Sequence, residues 1–320
     1  MRSVFYITMI NTLNMKKFIA SIAALIIAAT VLAAKPAQFN VASYNIRMPA
    51  GSDSLAGNGW GRRGPVVAKL AYFNDFDIFG TQEGYKFQLD DMLGQMPGYA
   101  YIGVGRNDGK DGGEHSAIFY NTDMFDVLDH GDFWLAEDTS FPHLGWDAAC
   151  VRICTWGKFR HKPSGRQFLF FNLHMDHVGK IARIESAKLI KNKMNQLGSK
   201  LPVFLTGDFN IDQFSDEYTT IVGDGKLKDA YTSADFVFAP NGTFNSFHPD
   251  GFSNQRIDHI FTTPDVHVLK YGVITDTYRT TDNNDDALSA ENAPEIIHIS
   301  KATPRTPSDH FPIKAKIELR

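Results

Sequence analysis

Cysteine is nearly absent: Cys150 and Cys154 are the only two in 320 residues, so no disulfide framework holds this chain and its stability has to come from a packed core. Both lie in the Val-, Ile- and Thr-rich run 147–156, which reads as a strand. Residues four apart on a strand are about 13 Å apart, so the two cannot pair, and two buried thiols are expected. No self-similar period of about 20 to 50 residues and no low-complexity tract appears, which excludes solenoids and fibrous chains. Positive charge is not in excess either, with 32 Lys and Arg against 36 Asp and Glu. Stable binding to a nucleic-acid duplex, which rests on displacing counterions with basic residues, is therefore not expected.

Long hydrophobic runs are missing except at the start. Lys16 and Lys17 precede an apolar stretch from Phe18 to Leu32, and Val31, Leu32 and Ala33 offer the small residues of a cleavage site. The stretch is short for crossing a bilayer. It reads as a signal peptide over residues 1–33, with Met15 as the true start, followed by one domain over 34–320 that is exported to the periplasm or outside the cell without a retained anchor. Removing 1–33 takes away Arg2, Lys16 and Lys17 and no acid, so the charge becomes 29 minus 36, or −7.

What is present is a chain that is 43% hydrophobic and 12% aromatic, ample for a large core. Short runs rich in Val, Ile, Phe and Tyr recur at 39–46, 77–80, 99–104, 117–120, 150–159, 168–173, 203–206, 257–262, 266–273 and 311–319, with turn residues between them, and predict strands. Helical spacing appears over 64–74 and 180–197, with Gly198 as a stop. Lys162, Pro163, Ser164 and Gly165 read as a hairpin turn. Many strands, few helices and hairpins predict an α/β (α+β) fold: two packed mixed β-sheets flanked by helices in a four-layer sandwich. The polar stretch 275–307, with Asp282 to Asp286 in a row, reads as one long loop.

Chemistry gathers at the ends of these runs. Asn45 ends Ser-Tyr-Asn, Glu83 ends Gly-Thr-Gln-Glu, His174 and Asp176 end Phe-Asn-Leu-His-Met-Asp, and Asp208 and Asn210 end Leu-Thr-Gly-Asp-Phe-Asn. Asp258 sits in Arg-Ile-Asp-His-Ile-Phe, and Asp309 and His310 introduce the last strand in Pro-Ser-Asp-His-Phe-Pro. Each piece alone is a common turn former or a satisfied polar residue. As an ordered set over residues 39 to 319 they are specific, and the chain resembles the endonuclease/exonuclease/phosphatase superfamily with its deoxyribonuclease I-like fold.

The resemblance implies a hydrolase of phosphoesters by in-line attack of water. Glu83 and Asp309, with the side-chain carbonyl of Asn45, are implied as ligands of Mg²⁺, with Mn²⁺ as a substitute; these are hard oxygen donors suited to such an ion. Asp208 is implied as the base, Asn210 as positioning the water or the phosphate, His310 oriented by Asp258 as stabilising the transition state, and His174 as a donor to phosphate. The run Asn-Leu-His-Met-Asp-His, together with 151–156, is similar to a bacterial secreted branch that shares more with nocturnin-like deadenylases than with apurinic nucleases. Arg152 reads equally as a phosphate grip or an ion pair; Glu114, His115 and Asp176 are further candidates for substrate contact. Some nuclease relatives carry an acid two residues after the first Asn, whereas Arg47 stands here, which points to one bound metal rather than two.

The resemblance leaves the substrate open among nucleic acid or nucleotides, inositol phosphates and sphingomyelin-like lipids. For a lipid, Phe141, Pro142, Leu144 and Trp146 would form an apolar rim. A catalytically silent binding module on the same fold is the reading from another class; it expects gaps at the base or metal positions, and none is present. Zinc is disfavoured, because His115, His143, His174 and His177 lack the spacing of a zinc site. A monomer is expected.

Overall fold

The computed structural model describes residues 36–198, 200–281, 287–288 and 299–319. The leader expected over 1–33 lies outside the described residues. Thirteen strands form two mixed sheets. They are β1 Ala37–Asn45, β2 Ile78–Gln82, β3 Tyr99–Ile102, β4 Ile118–Asn121, β5 Phe125–Trp134, β6 Ile153–His161, β7 Gln167–His174, β8 Val203–Asp208, β9 Lys228–Asp229, β10 Phe236–Phe238, β11 Asp258–Thr262, β12 Val266–Val273 and β13 Ile313–Leu319. The first sheet runs β10-β12-β13-β1-β2-β4-β3 and the second β9-β11-β8-β7-β6-β5. Each contains a parallel pair, β1 with β2 and β7 with β8. Such pairs need a crossover, and α2 (Trp60–Phe73) and α4 (Lys180–Gly198) supply it. The helices α1 (Gly51–Leu55), α3 (Lys86–Leu93), α5 (Asp216–Val222) and α6 (Ala230–Ser233) are shorter.

Alternation along the strands assigns the layers. Phe39 and Val41 of β1 meet Phe168, Phe170 and Phe204 of the other sheet in the central core, while Ala42 and Tyr44 turn outward to Val67, Leu70 and Leu89 of α2 and α3. On the second sheet Leu169, Phe171 and Leu205 turn outward to Ala187, Ile190 and Met194 of α4. The result is four layers: helix, sheet, sheet, helix. The central face changes character along its length. Continuing the same parity, Phe168 and Phe170 give way to Asn172 and His174, Phe204 to Thr206 and Asp208, and Phe39 and Val41 to Ser43 and Asn45. The apolar core thus ends in a polar layer and then in titratable groups.

Asn172 ties that polar layer together. It donates to the carbonyls of Thr81 and Ala117 at 2.8 and 2.9 Å, and accepts from Gln82 Nε2 at 2.7 Å and Thr206 Oγ1 at 3.1 Å. The sheets approach here so closely that a Cβ on Gly80 would lie 2.0 Å from Asn172 Oδ1. Gly80→Ala is therefore expected to push Asn172 from its partners and cost about 2–4 kcal/mol, by overpacking plus buried polar groups left unpaired. Denaturant unfolding measures this; an unchanged midpoint would show that the layer is not a strut.

Several expectations need correction. The helix expected over 64–74 starts at Trp60, because the Trp60 indole donates to Asp91 at 2.8 Å and the buried Arg63 bonds backbone carbonyls upstream. Cys154 is buried on β6, but Cys150 lies before the strand begins, half-buried, its N–H held by Asp176 at 3.1 Å. The stretch 275–307 is not a bare loop where it is described: Tyr278–Thr280 pairs with Thr303–Arg305, and Ala287–Leu288 with Ile299–Ser300. Residues 282–286 and 289–298 lie outside the described residues. The hairpin at 162–165 joins β6 to β7 as expected. Among the described residues no helix is long and apolar enough to cross a membrane.

Candidate active site

Register brings the strand ends together. His174, Asp208 and Asp258 stand side by side, with Asp208 paired to both neighbours, and Asn45 ends β1 opposite Gln82, next to Glu83. His310 precedes β13, which pairs antiparallel with β1, so it returns to the same end of the sandwich. Glu83, Arg47 and Asn210 hold positive φ values of 63°, 59° and 51°. Non-glycine residues keep that backbone only where surroundings impose it, and such residues cluster at functional sites. Arg47, Glu83, His174, Asp208, Asn210 and His310 line a cleft of about 850 Å³ with Asp53, Arg106, Glu114, Cys150, Arg152, His177, Phe244, Phe247, His248 and Asp309, while Asn45 and Asp258 stay out of its wall and bond to Asp208 and His310.

Asp208 and His310 form its reactive pair. His310 Nδ1 lies 2.8 Å from Asp258 Oδ2, and Nε2 lies 3.7 Å from Asp208 Oδ2. Burial works against a charged ring, yet the Asp258 carboxylate and its hydrogen bond hold the His310 pKa well above its ordinary value. That direction favours the charged ring, whose Nε2 faces Asp208 Oδ2 at 3.7 Å and Asn45 Nδ2 at 3.5 Å. Asp208 is pushed up to about 7 by burial and by the charge of Asp258, with His310 pulling the other way. A carboxylate in that position accepts a proton near neutral pH.

Asn45 lies between two acids, its amide held by three bonds. Its Oδ1 accepts the N–H of Arg47 at 3.0 Å, while Nδ2 donates to Glu83 Oε1 and Asp208 Oδ2, both at 3.0 Å. The Arg47 N–H fixes this orientation, so Asn45 bridges the two acids instead of offering them an oxygen. Glu83, Asp208 and His310 place ligand atoms within 4.8 Å of one another. Burial, and then the charge of Glu83, raise Asp309, with His310 and Arg47 opposing. Crowded carboxylates that destabilise one another's charge fit a hard divalent cation, and the Glu83 and Asp309 carboxylates are the donors suited to it. The His310 imidazolium is not.

His174 is buried and neutral, its pKa driven well down by burial and by Arg152 and Arg106. Its Nε2 lies 3.1 Å from Asn210 Nδ2 and 3.5 Å from Asp208 Oδ2, while Nδ1 is buried without a hydrogen bond, 3.9 Å from Glu114 Oε2. Asn210 also donates to the Met175 carbonyl at 2.9 Å, and its own N–H caps Asp208 at 3.0 Å. Glu114 lines the cleft bound to Arg106 at 2.6 Å. Arg152 makes the ion pair considered for it, with Asp176 at 3.3 Å, donates to His177 at 3.0 Å and also faces the cleft.

Four candidates are not in the cleft wall: Asn45 and Asp258, which bond to Asp208 and His310 in it, and Asp176 and His115. Asp176 is 2% exposed, and its oxygens are spent on the N–H groups of Cys150, Val178 and Gly179 and on Arg152. It is a loop anchor that aims Arg152. His115 is 1% exposed in a short strand pair with Gly84, its Nδ1 on the Gly113 carbonyl at 3.2 Å. The apolar rim expected for a lipid is also absent from the cleft wall, although Phe141 and Leu144 are exposed. Sequence reading missed Arg63, which is fully buried and donates to the carbonyls of Ile46, Arg47 and Met48, pinning the turn after β1. A charge inside an otherwise apolar helix face was its signal.

Comparison with known proteins agrees with this geometry. A crystal structure of an endonuclease/exonuclease/phosphatase family protein from Bacteroides thetaiotaomicron is 52% identical, covering 89% of this chain and 99% of that one, with a TM-score of 0.82. A mannosyl-6-phosphatase from the same organism is 53% identical, covering 87% and 99%, with a TM-score of 0.79. Nocturnin of Drosophila melanogaster is 22% identical over 296 residues, 81% of this chain, and the chain spans only 42% of that protein's length. The endonuclease/exonuclease/phosphatase family pattern matches residues 37–310, from the first residue of β1 to His310, and the chain belongs to that family.

Proposed function

We propose that the chain is an exported phosphomonoesterase that removes phosphate from a phosphorylated sugar with the help of Mg²⁺, Mn²⁺ serving as a substitute. The observation that carries the chemistry is the facing pair of Asp208 and the His310 imidazolium at 3.7 Å. Asp208 accepts the proton of the attacking water, with Asn210 beside it to orient that water. His310 donates from Nε2 to a phosphate oxygen as charge develops, and His174 lines the wall beside it. Glu83 and Asp309 would hold the cation, which when bound neutralises phosphate charge. Arg47, Arg106 and Arg152 add guanidinium groups to the wall.

The sugar class is supported by the 53% identity to the mannosyl-6-phosphatase. The chain's acidic balance, deepening to −7 without the leader, disfavours a duplex. Export is supported by the basic and then apolar start of the sequence.

Purified protein is expected to release inorganic phosphate from hexose 6-phosphates at least about 100-fold more efficiently, as kcat/KM, than from nucleotides, inositol phosphates, single-stranded RNA or sphingomyelin. Chelation with EDTA should abolish the release and added Mg²⁺ restore it. Preference for RNA, or turnover indifferent to chelation, would overturn the proposal.

A further inference from the structure

Arg47 holds φ 59°, and three bonds impose it. Its N–H donates to Asn45 Oδ1 at 3.0 Å, and its carbonyl accepts from Arg63 Nη2 at 2.6 Å and Gln88 Nε2 at 3.0 Å. The side chain is fixed as well: Nε and Nη2 donate to the buried Asp53 at 2.8 and 3.3 Å. What remains is Nη1, 3.4 Å from Asp309 Oδ2 and 3.9 Å from Glu83 Oε2. Backbone strain, a buried Arg, a Gln from α3 and a buried Asp are thus all spent on setting one N–H group against two acids. A surface ion pair needs none of this.

We propose that Arg47 is a built-in competitor for the divalent cation, occupying with Nη1 the charge position between Glu83 and Asp309 that the ion takes when it binds. This rests on the reading that those two acids hold the ion. Binding then exchanges one cation for another, and the affinity of the site is set by the difference. Because Nε and Nη2 keep Asp53, the freed Nη1 stays in the cleft wall, where a phosphate oxygen is its next partner. Ion loading and phosphate binding are coupled through one side chain. Without an ion, the same contact pairs the buried Asp309 and adds to the bonds that Glu83 accepts from Asn45 Nδ2 and the Met48 N–H, both at 3.0 Å.

The test is calorimetric titration of the full chain with Mg²⁺ and with Mn²⁺, comparing wild type with Arg47→Met, which keeps the stem and removes the charge. The variant is expected to bind either ion about tenfold more tightly, since a competing pair has gone. Its inhibition by inorganic phosphate at saturating Mg²⁺ should weaken about tenfold. Unchanged or weaker ion binding in a folded variant overturns the inference. Should Arg47→Met fail to fold, wild type labelled with ¹⁵N in its guanidinium groups gives the answer by NMR: the Arg47 signals shift as Mg²⁺ saturates the site, and signals that stay put overturn it. The two readings fail separately. Tighter ion binding in a chain inert toward sugar phosphates leaves Arg47 as proposed and removes the sugar phosphatase, whereas active wild type with unaltered affinity in Arg47→Met does the reverse.

Discussion

Asp208→Asn is expected to lower kcat by about 10³-fold or more while the protein stays folded. The substitution keeps the shape and leaves an oxygen to accept the Asn210 N–H, which bonds Asp208 Oδ1 at 3.0 Å. It removes the one function the position is built for, a carboxylate whose proton affinity is lifted toward neutrality by burial and by Asp258. Burial also makes that charge expensive, which offsets the loss of the bond from Asn45 Nδ2 to Oδ2 at 3.0 Å, so folding stability should change little. Such a trade marks a residue retained for chemistry. Rates on the preferred substrate at saturation, with thermal unfolding alongside, measure both halves. A variant within tenfold of wild type would remove Asp208 as the base; a variant that unfolds would make it structural.

The fold was legible where one face of a strand is uniformly apolar. The run 39–46 announces β1, and 168–173 announces β7, since both alternate between two buried faces. The longest strand, β5, was invisible. It runs Phe-Asp-Val-Leu-Asp-His-Gly-Asp-Phe-Trp along the edge of its sheet, where acids discourage further pairing, and a bulge between Val127 and Asp129 breaks its alternation. α3 and α5 were missed for a different reason: at 8 and 7 residues they are too short for a periodic signal, and α3 is set by tertiary bonds such as Gln88 to the Arg47 carbonyl.

The candidate site divides in the same way. Which residues gather at the strand ends could be read from the motifs, because a polar residue at the end of a core strand has few other reasons to be there. How each side chain is turned could not, because that depends on partners distant in the chain. Asn45 turns its NH2 to Glu83 and Asp208 owing to a single N–H from Arg47, and Asp176 is an anchor owing to the loop from Cys150. Arg47 itself stood out as a departure from relatives, but its place between Glu83 and Asp309 follows from Arg63, Gln88 and Asp53, none of which carries a motif.

His310→Ala is expected to cost about 10³-fold in kcat, and Asp258→Asn about 10²-fold, the second entirely through the first. Asp258 is 1% exposed and bonds the ring at Nδ1, on the side away from Asp208. It is a positioning residue: it holds the ring in place and holds its charge, against the burial that would otherwise neutralise it. If this is its whole role, the double variant is no worse than His310→Ala alone, because nothing is left to orient. Independent action would multiply the two losses to about 10⁵-fold. The ring nitrogens of His310 provide a second reading by NMR. Both are expected to carry protons in wild type, and one proton should be lost in Asp258→Asn at the same pH. A ring still doubly protonated in that variant would locate the source of its charge in Asp208 and Asp309 instead, and Asp258 would then be a structural neighbour with no part in the transition state.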